Sequence, residues 1–179
     1  MESRSCKLFE CLRKFYKNEY NIHQLLNVVQ NDVQSNTVSL RLLDWLVSNY
    51  SKSHNVIYFV DGLPFNMHQQ YKNMLKAYSK KLFDPFRRHS RIVIPYTIEK
   101  KQMMLETTVA QLMFFKWAIE NQVIQYASNN RLLIKKNMDL NTKNRNRMKD
   151  VFSKTKRSEL SKPKMSANMY RVNITVTFT

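Results

Sequence analysis

The chain has 179 residues, enough for one domain of ordinary size, and 43% of them are hydrophobic, enough to bury a core. Its 30 Lys and Arg stand against 13 Asp and Glu, a formal net charge of +17 that repels itself unless a counter-charge is present, so a polyanionic partner is expected. Gly62 is the only glycine, which excludes a P-loop and a GxGxxG fingerprint, since both need several glycines for phosphate to approach the backbone.

The N-terminus, MESRSCKLFECLRKFYK, is charged throughout and offers no apolar stretch for secretion, and no window approaches the 18 uncharged apolar residues of a membrane span. Cys6 and Cys11 are five apart, which makes neither a CxxC metal pair nor a disulfide framework. A soluble protein of a reducing, intracellular compartment is expected. From Cys6 to Val29 apolar residues recur at helical spacing, at Leu8, Leu12, Phe15 and Tyr16 and then at Ile22, Leu25, Leu26 and Val29, with an interruption near Asn18–Asn21. This predicts two helices or one broken one. Thr37 or Ser39 caps a further helix carrying Leu40, Leu43, Leu46, Val47 and Tyr50.

The run NVIYFVDGLPFNMH reads as a hairpin, with strands at 56–60 and 63–68 and Asp61-Gly62 supplying the positive φ angles of a two-residue type I′ turn. Pro64 has no N–H to donate and belongs at an edge. From Gln70 to Leu82, Tyr71, Met74, Leu75, Tyr78 and Leu82 form an apolar stripe with lysines away from it, a helix with a basic outer face. Asp84-Pro85 ends it, because a residue before proline avoids the α region. RIVIPYT, 91–97, follows as a strand. Thr107 or Thr108 then opens a helix that is apolar around most of its circumference as far as Tyr126, the expected central buried helix. A polar, basic helix or loop runs from Arg131 to about Phe152, and 153–169 reads as a flexible basic connector. RVNITVTFT closes the chain as a half-buried strand, 171–178. The expected fold is a single α+β domain, about five helices on a mainly antiparallel sheet of about four strands.

The charge is segregated along this plan. Residues 72–101 hold nine basic and two acidic side chains and 131–164 hold twelve and three, so these two segments carry 16 of the 17 net charges, whereas 1–71 are nearly balanced. A contiguous cationic surface gains binding free energy by releasing counterions condensed on a phosphate backbone. Two basic surfaces are therefore expected: Lys72, Lys76, Lys80, Lys81, Arg87, Arg88 and Arg91 on one, and Lys143, Arg145, Arg147, Lys149, Lys154, Lys156 and Arg157 on the other. In KKLFDPFRRHSR the aromatic rings alternate with cations, an arrangement suited to stacking on unpaired bases; the plainer alternative makes Phe83 and Phe86 core plugs beneath a turn.

Chemistry is harder to find. His23, His54, His68 and His89 lie in four separate segments without zinc-binding spacing, and no GxSxG elbow occurs. The nearest enzymatic pattern is Glu99-Lys100-Lys101 after RIVIPYT, an E-x-K arrangement that with Asp84 or Asp61 would suit a metal-dependent nuclease. The strings LRLLDWLVSNYSKSHNVIYFV, YKNMLKAYSKKLFDPFRRHSRI and TTVAQLMFFKWAIENQVIQY resemble small uncharacterised proteins of large nucleo-cytoplasmic DNA viruses, over roughly residues 38–178. The resemblance implies a virus-encoded protein, packaged or acting in replication or transcription, and brings no catalytic residues. The expected function is non-enzymatic binding of nucleic acid, DNA or RNA, with no cofactor and no metal. The second class is a structural or assembly protein of a virion that meets acidic protein surfaces.

Overall fold

The structure is a computed structural model that describes residues 4–30, 38–98 and 101–154, with the side chains of 7–147 placed within those limits. The chain divides after Leu140 into two units, the described part of the second being the end of the last helix.

The first unit opens with helices α1 (Arg4–Phe15) and α2 (Glu19–Val29), separated at the expected interruption, where the Asn18 side chain accepts from the Tyr20 N–H and caps α2. Leu12 and Tyr16 turn inward, and the Tyr16 hydroxyl donates to the Leu112 carbonyl at 2.7 Å, joining this region to the core. Ser39 caps α3 (Leu40–Trp45), its hydroxyl accepting from the Leu42 N–H; the helix continues through a wider π-type turn, Leu46–Tyr50, into α4 (Ser51–Ser53). One expected helix is thus three consecutive helical stretches.

The hairpin forms as β1 (Ile57–Val60) and β2 (Leu63–Asn66), antiparallel, with Asp61 at φ +49° and Gly62 at φ +79°. A side chain at Gly62 would meet nothing within 4 Å, so the glycine answers the backbone angle and not crowding. The expected second strand ran to 68; instead Asn66 accepts from the Gln69 N–H and starts α5 (Met67–Leu82). Ser79, at φ +53° and ψ 173°, kinks α5 before its last residues.

The largest departure from expectation is the sheet. Among the described residues a single sheet of about four strands is not formed: β3 (Arg91–Ile98) pairs with β4 (Lys101–Thr108), in register from Arg91↔Thr108 to Ile98↔Lys101, and this pair is separate from β1–β2. Strand β4 was not expected at all. Its sequence, KQMMLETT, is poor in β-branched and aromatic residues over its first six positions, and its first four are exposed. The expected strand 171–178 lies outside the described residues, as does the connector beyond Lys154.

The Thr108 hydroxyl accepts from the Gln111 N–H and opens α6 (Val109–Glu120), which is buried around most of its circumference as expected. Its end comes sooner than expected: Gln122 adopts a left-handed conformation, φ +55°, and α7 (Val123–Asn129) starts afresh. The basic segment that could be helix or loop is a helix, α8 (Arg131–Lys154), anchored by the fully buried Ile134. Trp117 on α6 collects Phe65, Tyr71, Phe83 and Phe114 around it, with ring centroids 5.5–6.2 Å away in tilted or edge-on geometry. Helices therefore outnumber the expected five, and the class, α+β, stands.

Candidate nucleic-acid interface

The first basic segment ends α5 and continues through the loop 83–90 into β3. Its aromatic residues divide the two expected roles between them. Phe83 is 1% exposed against Tyr71, Phe114 and Trp117, a core plug. Phe86 stays partly exposed, with the Arg88 guanidinium 4.7 Å above its ring centroid.

The loop is pinned from beneath by groups the charge pattern does not reveal. The Asp84 N–H donates to the Ala110 carbonyl at 3.2 Å. Gln111, fully buried, donates from Nε2 to the Pro85 carbonyl at 2.8 Å and accepts the Thr107 hydroxyl at 2.9 Å. The Asp84 carboxylate, also buried, accepts from the Phe86 N–H at 3.1 Å, which closes a local Asx turn. Both of its oxygens are held by Arg88, Nε to Oδ2 at 2.9 Å and Nη2 to Oδ1 at 3.1 Å. This two-point contact neutralises a carboxylate that would otherwise be buried uncompensated. His89 donates from Nε2 to the Lys80 carbonyl at 2.8 Å, which ties the loop back across the end of α5.

These contacts sort the expected binding residues. Lys72 and Lys76 lie exposed one helical turn apart on α5, and Lys80 and Lys81 follow the kink at Ser79, so the lysines do not form one straight helical row. Arg87 is exposed, and its Nη1 donates to the Glu106 carbonyl at 3.3 Å. Arg91 pairs with the Glu106 carboxylate across β3–β4 at 2.6 Å. Arg88 and Arg91 thus carry charge that a carboxylate already balances, whereas Lys72, Lys76, Lys80, Lys81 and Arg87 form no ion pair with a carboxylate among the described residues.

The field of this region reaches Asp44 on α3. Burial raises its carboxyl above the ordinary range, and the Asp84 carboxylate adds to the rise, while the Arg88 and Lys80 cations oppose it. Tyr71 is pushed up to about 12, first by burial and then by Asp44 and Asp84. Lys80, near the end of α5, and Arg88, in the loop, therefore act on one carboxylate.

The second basic set falls on α8. Lys143, Arg145 and Arg147 are exposed. Helical spacing sets Lys143 and Arg147 on one face and Arg145 on another. Lys149 and Lys154 belong to the helix without described side chains, and Lys156 and Arg157 lie outside the described residues. For the nuclease arrangement, Asp61 sits in the hairpin turn, both Asp84 oxygens are occupied by Arg88, and Glu99 and Lys100 lie outside the described residues. Among the described residues no three His, Cys, Asp or Glu side chains converge as a metal site, and no helix is long and apolar enough to cross a membrane.

Sequence reasoning missed the supports Glu106, Gln111 and the structural role of Asp84. Two of these had a readable signal: Asp84 and Arg88 are spaced i,i+4, and Gln111 is a lone uncharged polar side chain in the apolar run VAQLMFF. Glu106 needed the unforeseen strand β4.

The chain belongs to a family of unknown function (DUF7197), whose model matches residues 3–177. It is 35% identical over 138 residues to an uncharacterised protein of Acanthamoeba polyphaga mimivirus, an alignment covering 73% of this chain and 52% of that protein, so the chain spans about half of its relative's length. No solved structure matches. The relative is viral and uncharacterised, which agrees with the resemblance at that level.

Proposed function

We propose that this family member binds nucleic acid without catalysing a reaction, holding the phosphate backbone against Lys72, Lys76, Lys80, Lys81 and Arg87, with the α8 cations as a second contact. The observation that carries this reading is the anchorage of the loop 83–90. An irregular, cationic loop is held by the buried Gln111, the buried Asp84, His89 and Glu106, so its exposed cations keep their places before any ligand arrives. Preorganisation of that kind reduces the ordering cost of binding. A bound polyanion would also relieve the repulsion of a +17 chain. The ligand proposed is a viral genome, met during packaging, replication or transcription in the infected cell, a setting that the likeness to a mimivirus protein supports.

The test is a mobility-shift assay on bare duplex DNA, single-stranded DNA and RNA, with the triple variant Lys80→Gln, Lys81→Gln, Arg87→Gln beside a control, Lys7→Gln, Arg13→Gln, Lys14→Gln. Both sets remove three exposed charges. The first should weaken binding well beyond the control; equal losses would mean that only overall charge matters.

A second reading, virion assembly through protein contacts, has its own observation. The outward faces of the hairpins expose apolar side chains, with Phe59 at 71%, Val93 at 60% and Met104 at 67%. No binding to bare nucleic acid at physiological salt would favour it.

A further inference from the structure

Within the nucleic-acid reading, on which this inference rests, Arg88 is built differently from the other cations. Two hydrogen bonds to the two oxygens of Asp84 fix the plane of its guanidinium. The carboxylate that fixes it is itself immobile, with its side chain 4% exposed and the Phe86 N–H bonded to Oδ1. The guanidinium carbon lies over the Phe86 ring, 4.7 Å from its centroid, and 56% of the Arg88 side chain remains exposed. A charge intended only to attract phosphate needs no fixed plane, and a lysine serves as well. A planar cation locked in orientation and backed by an aromatic ring is suited to a flat π partner. Its net charge is already cancelled by Asp84, so its remaining asset is the flat surface, while phosphate contacts fall to Arg87, Lys80 and Lys81.

We propose that the Phe86–Arg88 pair, clamped by Asp84, is a stacking platform for an unpaired nucleobase, and that the preferred ligand is single-stranded nucleic acid. In a duplex the base faces are already stacked on one another and cannot reach the platform. In a single strand every base has a face to offer, whichever the base, so the platform gives strand preference without sequence preference. DNA and RNA share this chemistry and differ only in the sugar.

The experiment measures affinity by fluorescence anisotropy for labelled oligothymidylate, oligouridylate and a DNA duplex of the same length, with the full chain and two variants. Arg88→Lys keeps the charge and its attraction to Asp84 but removes the plane. Phe86→Leu keeps the Arg88–Asp84 pair but removes the ring behind it. The single strands should bind more tightly than the duplex, and each variant should lose about tenfold in single-strand affinity, of the order of one stacked base, with duplex affinity within about twofold of wild type. Greater loss for oligouridylate than for oligothymidylate would assign the platform to RNA, and the reverse to DNA. Equal affinity of wild type for strand and duplex, or equal losses on both ligands in the variants, overturns the platform and leaves nucleic-acid binding standing. Failure of wild type to bind any of the three overturns the functional reading itself. Thermal melts accompany each variant, and if Arg88→Lys lowers the melting temperature, Phe86→Leu alone decides.

Discussion

Trp117 is 6% exposed and sits where α6 meets the hairpin, α5 and the loop 83–90, since its ring contacts include Phe65, Tyr71 and Phe83. Trp117→Ala should therefore cost about 3–5 kcal/mol of stability, read by urea denaturation, because neighbours drawn from separate elements cannot all collapse into the space. A cost near that of a surface substitution would contradict the burial. Asp44 gives the opposite sign. Burial holds its proton more tightly in the folded protein than in the unfolded chain, so the stability that protonation brings is complete below the ordinary value of 3.8 and is lost as pH rises through the raised folded value. Asp44→Asn, neutral at every pH, should raise the melting temperature at pH 7, and the gain should shrink to nothing as the pH falls below 3.8. A gain that persisted unchanged in acid would show that charge is not its source.

Among the elements, the loop 83–90 depends on one polar side chain of α6. Gln111→Leu keeps the size but leaves the Pro85 carbonyl and the Thr107 hydroxyl without their partner, at a cost of about 1–3 kcal/mol for each group left unpaired. The loss should concentrate on the loop, so hydrogen exchange of amides in 84–90 should accelerate more than exchange in α2. Uniform acceleration would mean that Gln111 supports the core and not the loop. How far such elements could be read from sequence depended on the range of the contacts that make them. The Asp61-Gly62 turn, the Asn18–Asn21 break, the stop at Asp84-Pro85 and the buried α6 rest on residues near in sequence, and all appeared in place. Strand β4 and the two separate sheets did not, because KQMMLETT lacks a strand's composition and takes its extended form from pairing with β3. The Gln122 break between α6 and α7 also left no glycine or proline to mark it. At the site, the cations were legible as a run of charge. Their pairing was legible only for Asp84 and Arg88, while Arg91–Glu106 needed the β3–β4 register.

For the whole molecule the governing fact is the segregation of charge: 16 of the 17 net charges fall in residues 72–101 and 131–164, and the structure spends Arg88 and Arg91 of the first segment on carboxylates. Outside those two ion pairs the exposed cations described there include Lys72, Lys76, Lys80, Lys81, Arg87 and Lys101, a group large enough to contact several phosphates, with Lys143, Arg145 and Arg147 exposed on α8. The resemblance to an uncharacterised mimivirus protein gives this surface a viral setting and no assigned ligand. Ion pairing with phosphate predicts its own salt law: each contact releases condensed counterions, so the logarithm of the binding constant falls linearly with the logarithm of salt concentration, with a slope of about −0.9 for each duplex phosphate and about −0.7 for each single-strand phosphate. The most direct measurement is therefore that slope, for wild type and for the Lys80→Gln, Lys81→Gln, Arg87→Gln variant on one oligonucleotide. The account predicts a steep line for wild type, flattened in the variant by about two to three phosphate contacts; a slope near zero, or one that these three substitutions leave unchanged, would contradict it.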